Sequence, residues 1–125
     1  PLRLVGSEMC IRDSWNGELR GFGKVGRDMT TEDAAKIARI CGLNLIAQVK
    51  QACGGDLEKI TRVVKLGGFV NCTEQFCDHP EVINGASDLM VEVFGDKGTH
   101  SRFAVGVNSL PRGVAVEVDG IFEIS

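Results

Sequence analysis

Tyrosine is absent from this 125-residue chain, tryptophan occurs once and proline three times. With aromatics at 6%, few rings are present on which successive bases could stack. Fourteen basic residues stand against 17 acidic ones, a formal net charge of -3. No Lys/Arg run or basic stripe occurs, which argues against a nucleic-acid platform. No apolar stretch approaches the roughly 20 residues that span a bilayer, so no membrane partner is expected. The five cysteines, Cys10, Cys41, Cys53, Cys72 and Cys77, are odd in number. They read as reduced thiols of a cytoplasmic protein rather than a disulfide frame. Cys72, Cys77 and His79 follow C-x4-C-x-H, which matches no common zinc spacing and lacks an evident fourth ligand. Neither a metal nor a cofactor is expected.

What is present is the composition of a folded globule, 43% hydrophobic, in a length that suits one domain with a modest core. Pro1–Ser14 fits neither strand alternation nor a helical stripe, and it lacks the layout of a secretory signal. It resembles translated sequencing-adapter read-through. Residues 1–14 are therefore read as a non-native or disordered segment and left out of the fold, with the domain at residues 15–125.

Trp15–Gly26 reads as a short irregular strand or loop. Its Gly21-Phe22-Gly23-Lys24-Val25-Gly26 matches G-x-G-x-x-G by chance, since no strand precedes it and no helix opens directly after it. Thr30 or Thr31 is a suitable N-cap, followed by Glu32 and Asp33. Ala34, Ile37, Ala38, Cys41, Leu45, Val49 and Ala52 then recur at helical spacing up to Gly54-Gly55. Gly42 within this helix suggests close packing. Ile60–Asn71 is rich in β-branched residues and reads as a strand, with Gly67-Gly68 marking a bulge or a close backbone approach. Pro80 suits the first turn of a second helix, which carries Val82, Ile83, Ala86, Leu89, Met90, Val93 and Phe94 and ends at Gly95.

Ser101–Val107 and Val114–Val118 alternate around a Pro/Gly turn and predict an antiparallel hairpin. Stacking Phe103, Val105 and Val107 on Val114, Val116 and Val118 would put Arg102, Ala104 and Gly106 beside Ala115, Glu117 and Asp119 on the second face. A roomy face carrying a cation and carboxylates is the candidate ligand site. Two helices need one sheet face to cover, which predicts a two-layer α+β domain. The small residues on the other face predict an oligomer whose sheets pack together.

Val82-Ile83-Asn84-Gly85-Ala86-Ser87-Asp88-Leu89, Arg102-Phe103-Ala104-Val105-Gly106-Val107, Leu110-Pro111 and Val114-Ala115-Val116-Glu117-Val118 together resemble the YjgF-like, or Rid (reactive intermediate deaminase), superfamily. The older label is endoribonuclease L-PSP, and the nearest branch is the YjgF/chorismate-mutase-like one. The resemblance covers roughly Asn16 to the end. It implies a chorismate-mutase-like fold and a homotrimer with sheets facing inward and clefts between subunits. The family's first strands are expected to be missing, leaving an exposed edge near Trp15–Val25.

The resemblance further implies hydrolysis of 2-imino acids or enamines to 2-keto acids and ammonia, with Arg102 holding the substrate carboxylate and Glu117 positioning water. Asn84, Ala104 and His100 join Arg102 as candidate substrate-binding residues. A guanidinium fork suits a carboxylate, and a nearby acid suits proton transfer to water. Ala104 stands where the deaminase branch often has cysteine. Two other readings stay open: binding of a small carboxylate without turnover, and, more weakly, RNA cleavage. As a structural alternative, Arg102 and Glu117 form an inter-strand ion pair, and His100 is a loop histidine.

Overall fold

The computed structural model describes residues 2–5 and 21–125. Its elements are β1 (Leu2–Val5), α1 (Thr31–Ala52), β2 (Ile60–Asn71), α2 (His79–Phe94), β3 (Ser101–Val107) and β4 (Val116–Ile124). Thr30 caps α1 through a capping box in which its side chain accepts from the Asp33 amide and the Asp33 carboxylate accepts from the Thr30 amide. That box satisfies two of the amides a helix start leaves without partners. The apolar stripe of α1 is buried at Ala34, Ile37, Ala38, Cys41, Leu45 and Val49. Pro80 sits in the first turn of α2, and Gly95 ends that helix at φ 62°.

Both helices lie on one face of a four-stranded mixed sheet of order β1-β4-β2-β3. This is the expected two-layer α+β arrangement, with two helices covering one sheet face. The helices approach closely. A Cβ on Gly85 would lie 2.0 Å from the Ala35 carbonyl oxygen, and one on Gly42 would lie 3.0 Å from Leu89 Cδ2. Between helices and sheet, Leu45, Leu66, Ile83, Met90, Val118 and Phe122 are fully or almost fully buried.

The expected hairpin does not form. β3 pairs parallel with β2, whereas β4 pairs antiparallel with the opposite edge of β2. The cause is the crossover: β2-α2-β3 is a βαβ unit, which returns its second strand parallel to the first and occupies that edge. The segment after β3 must then pass the end of β2 to reach the far side. Asn71, buried at 4% exposure, secures this passage. Its backbone amide donates to the Ala115 carbonyl at 2.8 Å, and its side-chain amide donates to the Val114 carbonyl at 3.1 Å.

Two further expectations are corrected. Leu2–Val5, excluded from the fold on sequence, pairs antiparallel with β4, from Leu2 opposite Phe122 to Val5 opposite Asp119. The outer edge of β4 offers unpaired backbone groups that four extended residues suffice to engage; the remainder of residues 1–14 lies outside the described residues. The edge strand expected at Trp15–Val25 is not seen over its described part. Residues 21–29 form a run of turns, with single bridges from Phe22 to Val114 and from Val25 to Met29 and Cys72. Residues 15–20 lie outside the described residues. Gly67 and Gly68 mark close approaches rather than a bulge: a Cβ on Gly68 would lie 2.5 Å from the Ile83 side chain. The register shifts instead fall at Ile60/Arg62 and Val63/Lys65.

Candidate functional site

Register decides which side chains share a surface. Arg102, Leu66 and Gly120 form one row across β3, β2 and β4; Val105, Phe69 and Glu117 form another, three residues further along β2. An odd offset puts these rows on opposite faces. Leu66 is fully buried under the helices, so Arg102, Ala104 and Gly106 turn toward α2. Glu117 and Asp119 turn to the uncovered face with Phe69, Phe103 and Val105. The Phe69 and Phe103 rings meet edge-on at 5.2 Å there, and Lys65 Nζ lies 5.3 Å from the Phe103 ring centre. The expected pairing of Arg102 with Glu117 across a ribbon is therefore overturned within one chain. Likewise Val116 and Val118 do not stack on Phe103 and Val105, since β2 intervenes and the faces are opposite.

Four of the five candidate residues, Arg102, Asn84, Ala104 and His100, lie on or beside α2 and the edge strand β3 where these two elements face each other. Arg102 Nη1 donates to Asn84 Oδ1 at 2.7 Å, and the pair is partly buried. Ser87, three residues beyond Asn84 and hence on the same helix face, lies 2.7 Å from His100 Nε2 through its Oγ. The other ring nitrogen of His100 contacts the Gly98 carbonyl. A carbonyl only accepts, so Nδ1 carries a proton, and in the neutral ring Nε2 then accepts from the Ser87 hydroxyl. Ala104, half-buried, packs against the core. Ser87 was not foreseen; on sequence it is a polar residue of an amphipathic helix.

The row ends at Gly106, where a Cβ would lie 2.5 Å from His79 Nε2 and 2.9 Å from Cys72 Sγ. Here a cavity of about 400 Å3 opens, lined by Cys72, Thr73, Phe76, His79, Gly106 and Asn108 among others. Cys72 Sγ and His79 Nε2 are 3.4 Å apart. Burial pushes the Cys72 thiol above its ordinary range, although the nearby Lys24 charge opposes this. Lys24 Nζ donates to Asn71 Oδ1 at 2.9 Å and to the Asn108 carbonyl. At the surface, the Arg27 guanidinium, the Lys24 backbone amide and the nearby charges hold the Asp28 carboxyl down at about 2. Among the described residues, no three His, Cys, Asp or Glu side chains are grouped to hold a metal, and no helix is long and apolar enough to cross a membrane.

Comparison with known proteins places this chain in a family. Residues 1–118 match the one described as YjgF/chorismate mutase-like, putative endoribonuclease. Protein TCP17 of Trypanosoma cruzi is 46% identical over 104 residues, which are 82% of this chain and 64% of TCP17. The chain thus spans under two thirds of that relative's length. The crystal structure of Atu1372, a protein of unknown function from Agrobacterium tumefaciens, superposes with a TM-score of 0.83 at 48% identity, over 87% of this chain and 70% of that one. A putative endoribonuclease from Shewanella oneidensis superposes with a TM-score of 0.81 at 36% identity, covering 86% and 71% of the two chains.

Proposed function

The chain belongs to the YjgF/chorismate mutase-like family, and on that premise we propose that it binds a small carboxylate-bearing molecule where α2 faces β3, with Arg102 as the anion-binding group. The observation that carries this reading is the state of that guanidinium. Among the described residues Arg102 makes no ion pair, and its partner is the neutral oxygen of Asn84. A partly desolvated cation held in place by a neutral group keeps donors for an anion, and a guanidinium meets a carboxylate with two parallel bonds.

The reaction is hydrolysis of a 2-imino acid or its enamine tautomer. Water adds to the imine carbon, the nitrogen leaves as ammonia, and a 2-keto acid remains. The carbon is already electrophilic, so positioning and proton transfer are what the protein supplies. Within one chain, His100 is the proton carrier on the same row as Arg102, with Nε2 as the basic atom. Glu117 lies on the other face and reaches such a site only from a second copy. The partly exposed Phe69, Phe103 and Val105 on the uncovered face support assembly through that face, as in an inward-facing trimer. The free thiols Cys41, Cys53, Cys72 and Cys77 suit a reducing compartment such as the cytoplasm. Binding without turnover uses the same Arg102. RNA cleavage is disfavoured by the net charge of -3.

The test is ammonia release from 2-imino acids generated by an amino-acid oxidase, together with calorimetric titration of the 2-keto acid. Faster release by the wild type, abolished in Arg102→Ala, supports hydrolysis. Keto-acid binding lost in Arg102→Ala, with no turnover in the wild type, supports the binding reading. If Arg102→Ala changes neither, the place where α2 faces β3 is not the site.

A further inference from the structure

Cys72 and His79 lie beside Gly106, four residues along β3 from Arg102, and the proposed reaction uses neither. We propose that they form a thiol–imidazole pair that covalently captures small α,β-unsaturated carbonyl compounds in the adjoining cavity. Three independent features meet here. The sulfur and Nε2 are 3.4 Å apart, within reach for proton transfer. The Phe76 ring stands edge-on to the imidazole, 5.3 Å away at 79°, which restrains its plane. Gly106 leaves the space in which the two groups meet, since any side chain there would strike both. A cavity of about 400 Å3 opens directly on the pair, large enough for a ligand of several carbons.

The wall chemistry suits a polarised enone or enal. Phe76 and Val107 offer apolar surface, and the Thr73 hydroxyl and Asn108 amide are donors for a carbonyl oxygen. In the step, the sulfur lone pair bonds to the β-carbon and the C=C electron pair moves onto the carbonyl oxygen as an enolate. The thiol proton passes to His79 Nε2 and from there to the α-carbon. The sum is addition of S–H across C=C, with no leaving group and no oxidant or reductant. Because burial keeps Cys72 in its neutral thiol form, the adjacent base sets the rate rather than a standing thiolate.

The chain carries its own reference thiol. Cys77 is exposed, and among the described residues it has no base in hydrogen-bond reach. The experiment is site-resolved mass spectrometry of the intact folded chain during reaction with acrylamide at neutral pH. The expected result is labelling of Cys72 about tenfold faster than Cys77, falling to the Cys77 rate or below in His79→Gln, with Cys77 unchanged. Repeating the wild-type measurement in urea removes any dependence on how the variant folds, and there the two rates should become equal. Labelling of Cys72 no faster than Cys77 in the folded wild type overturns the proposal. So does a ratio unaltered by His79→Gln in a variant that melts like the wild type. The outcome is independent of Arg102→Ala, so the two sites fail or stand separately.

Discussion

Arg102 and Glu117 should be energetically independent in a single chain. Their rows are three residues apart along β2, with β2 itself between their strands. At about 3.3 Å per residue and about 4.8 Å per strand spacing, that is roughly 10 Å along and 10 Å across, or about 14 Å between Cα atoms. Two unit charges at that distance in water interact by about 0.3 kcal/mol. Physiological salt, with a screening length of about 8 Å, reduces this further, and opposite faces lengthen the path. A double-mutant cycle measures the coupling. Wild type, Arg102→Ala, Glu117→Ala and the double variant are unfolded in urea at a concentration where light scattering reports one chain per particle. Each residue has contacts of its own, which the cycle cancels, so coupling should stay within the roughly 0.3–0.5 kcal/mol expected of distant sites. Coupling above about 1 kcal/mol in the single chain would refute the assignment of these residues to opposite faces. The same cycle read in keto-acid affinity, at a concentration where copies associate, should become non-additive if Glu117 of one copy reaches the Arg102 site of another.

Gly85→Ala should destabilise by about 1–3 kcal/mol in urea unfolding, because its Cβ would lie 2.0 Å from the Ala35 carbonyl; a gain in stability would mean that helix propensity, about 1 kcal/mol in the other direction, outweighs the helix–helix contact. Thr30→Ala removes the capping box of α1 and should cost about 1 kcal/mol, read as a lower Tm with an unchanged far-ultraviolet spectrum at room temperature. The Asp28 carboxyl, held down at about 2 by Arg27 and the Lys24 amide, should titrate near that value by NMR. A carboxylate depressed on folding contributes stability above its unfolded value near 4 and loses it as pH falls toward 2. Asp28→Asn should therefore flatten that part of the acid limb, and an Asp28 midpoint near 4 would sink this assignment.

Local order was readable from residue type and spacing. The stripe from Ala34 to Val49, the threonine cap, Pro80 and the closing Gly95 each specify a helix through contacts within a few residues of themselves. Period-two alternation likewise marked Ser101–Val107 and the valines after Gly113 as strands with two distinct faces. The motif around Arg102 singled out a cation that the fold sets against Asn84 of α2, while His100 meets Ser87 of the same helix. Ser87 left no such trace, and Cys72 and His79 showed only as part of a cluster that fits no metal spacing, because their meaning depends on which helix face meets which strand.

Composition and periodicity alone determined the two helices, the strands β2, β3 and β4 and the two-layer class, since these follow from short-range hydrogen bonding and from burying one apolar stripe per element. Tertiary structure alone decided that α2 returns β3 parallel to β2, that β4 takes the opposite edge, and hence that Arg102 looks under the helices while Glu117 looks away. Alternation tells a strand that it has two sides; only the choice of neighbour and register, set by crossover handedness and the packing of the whole sheet, tells it which side is which.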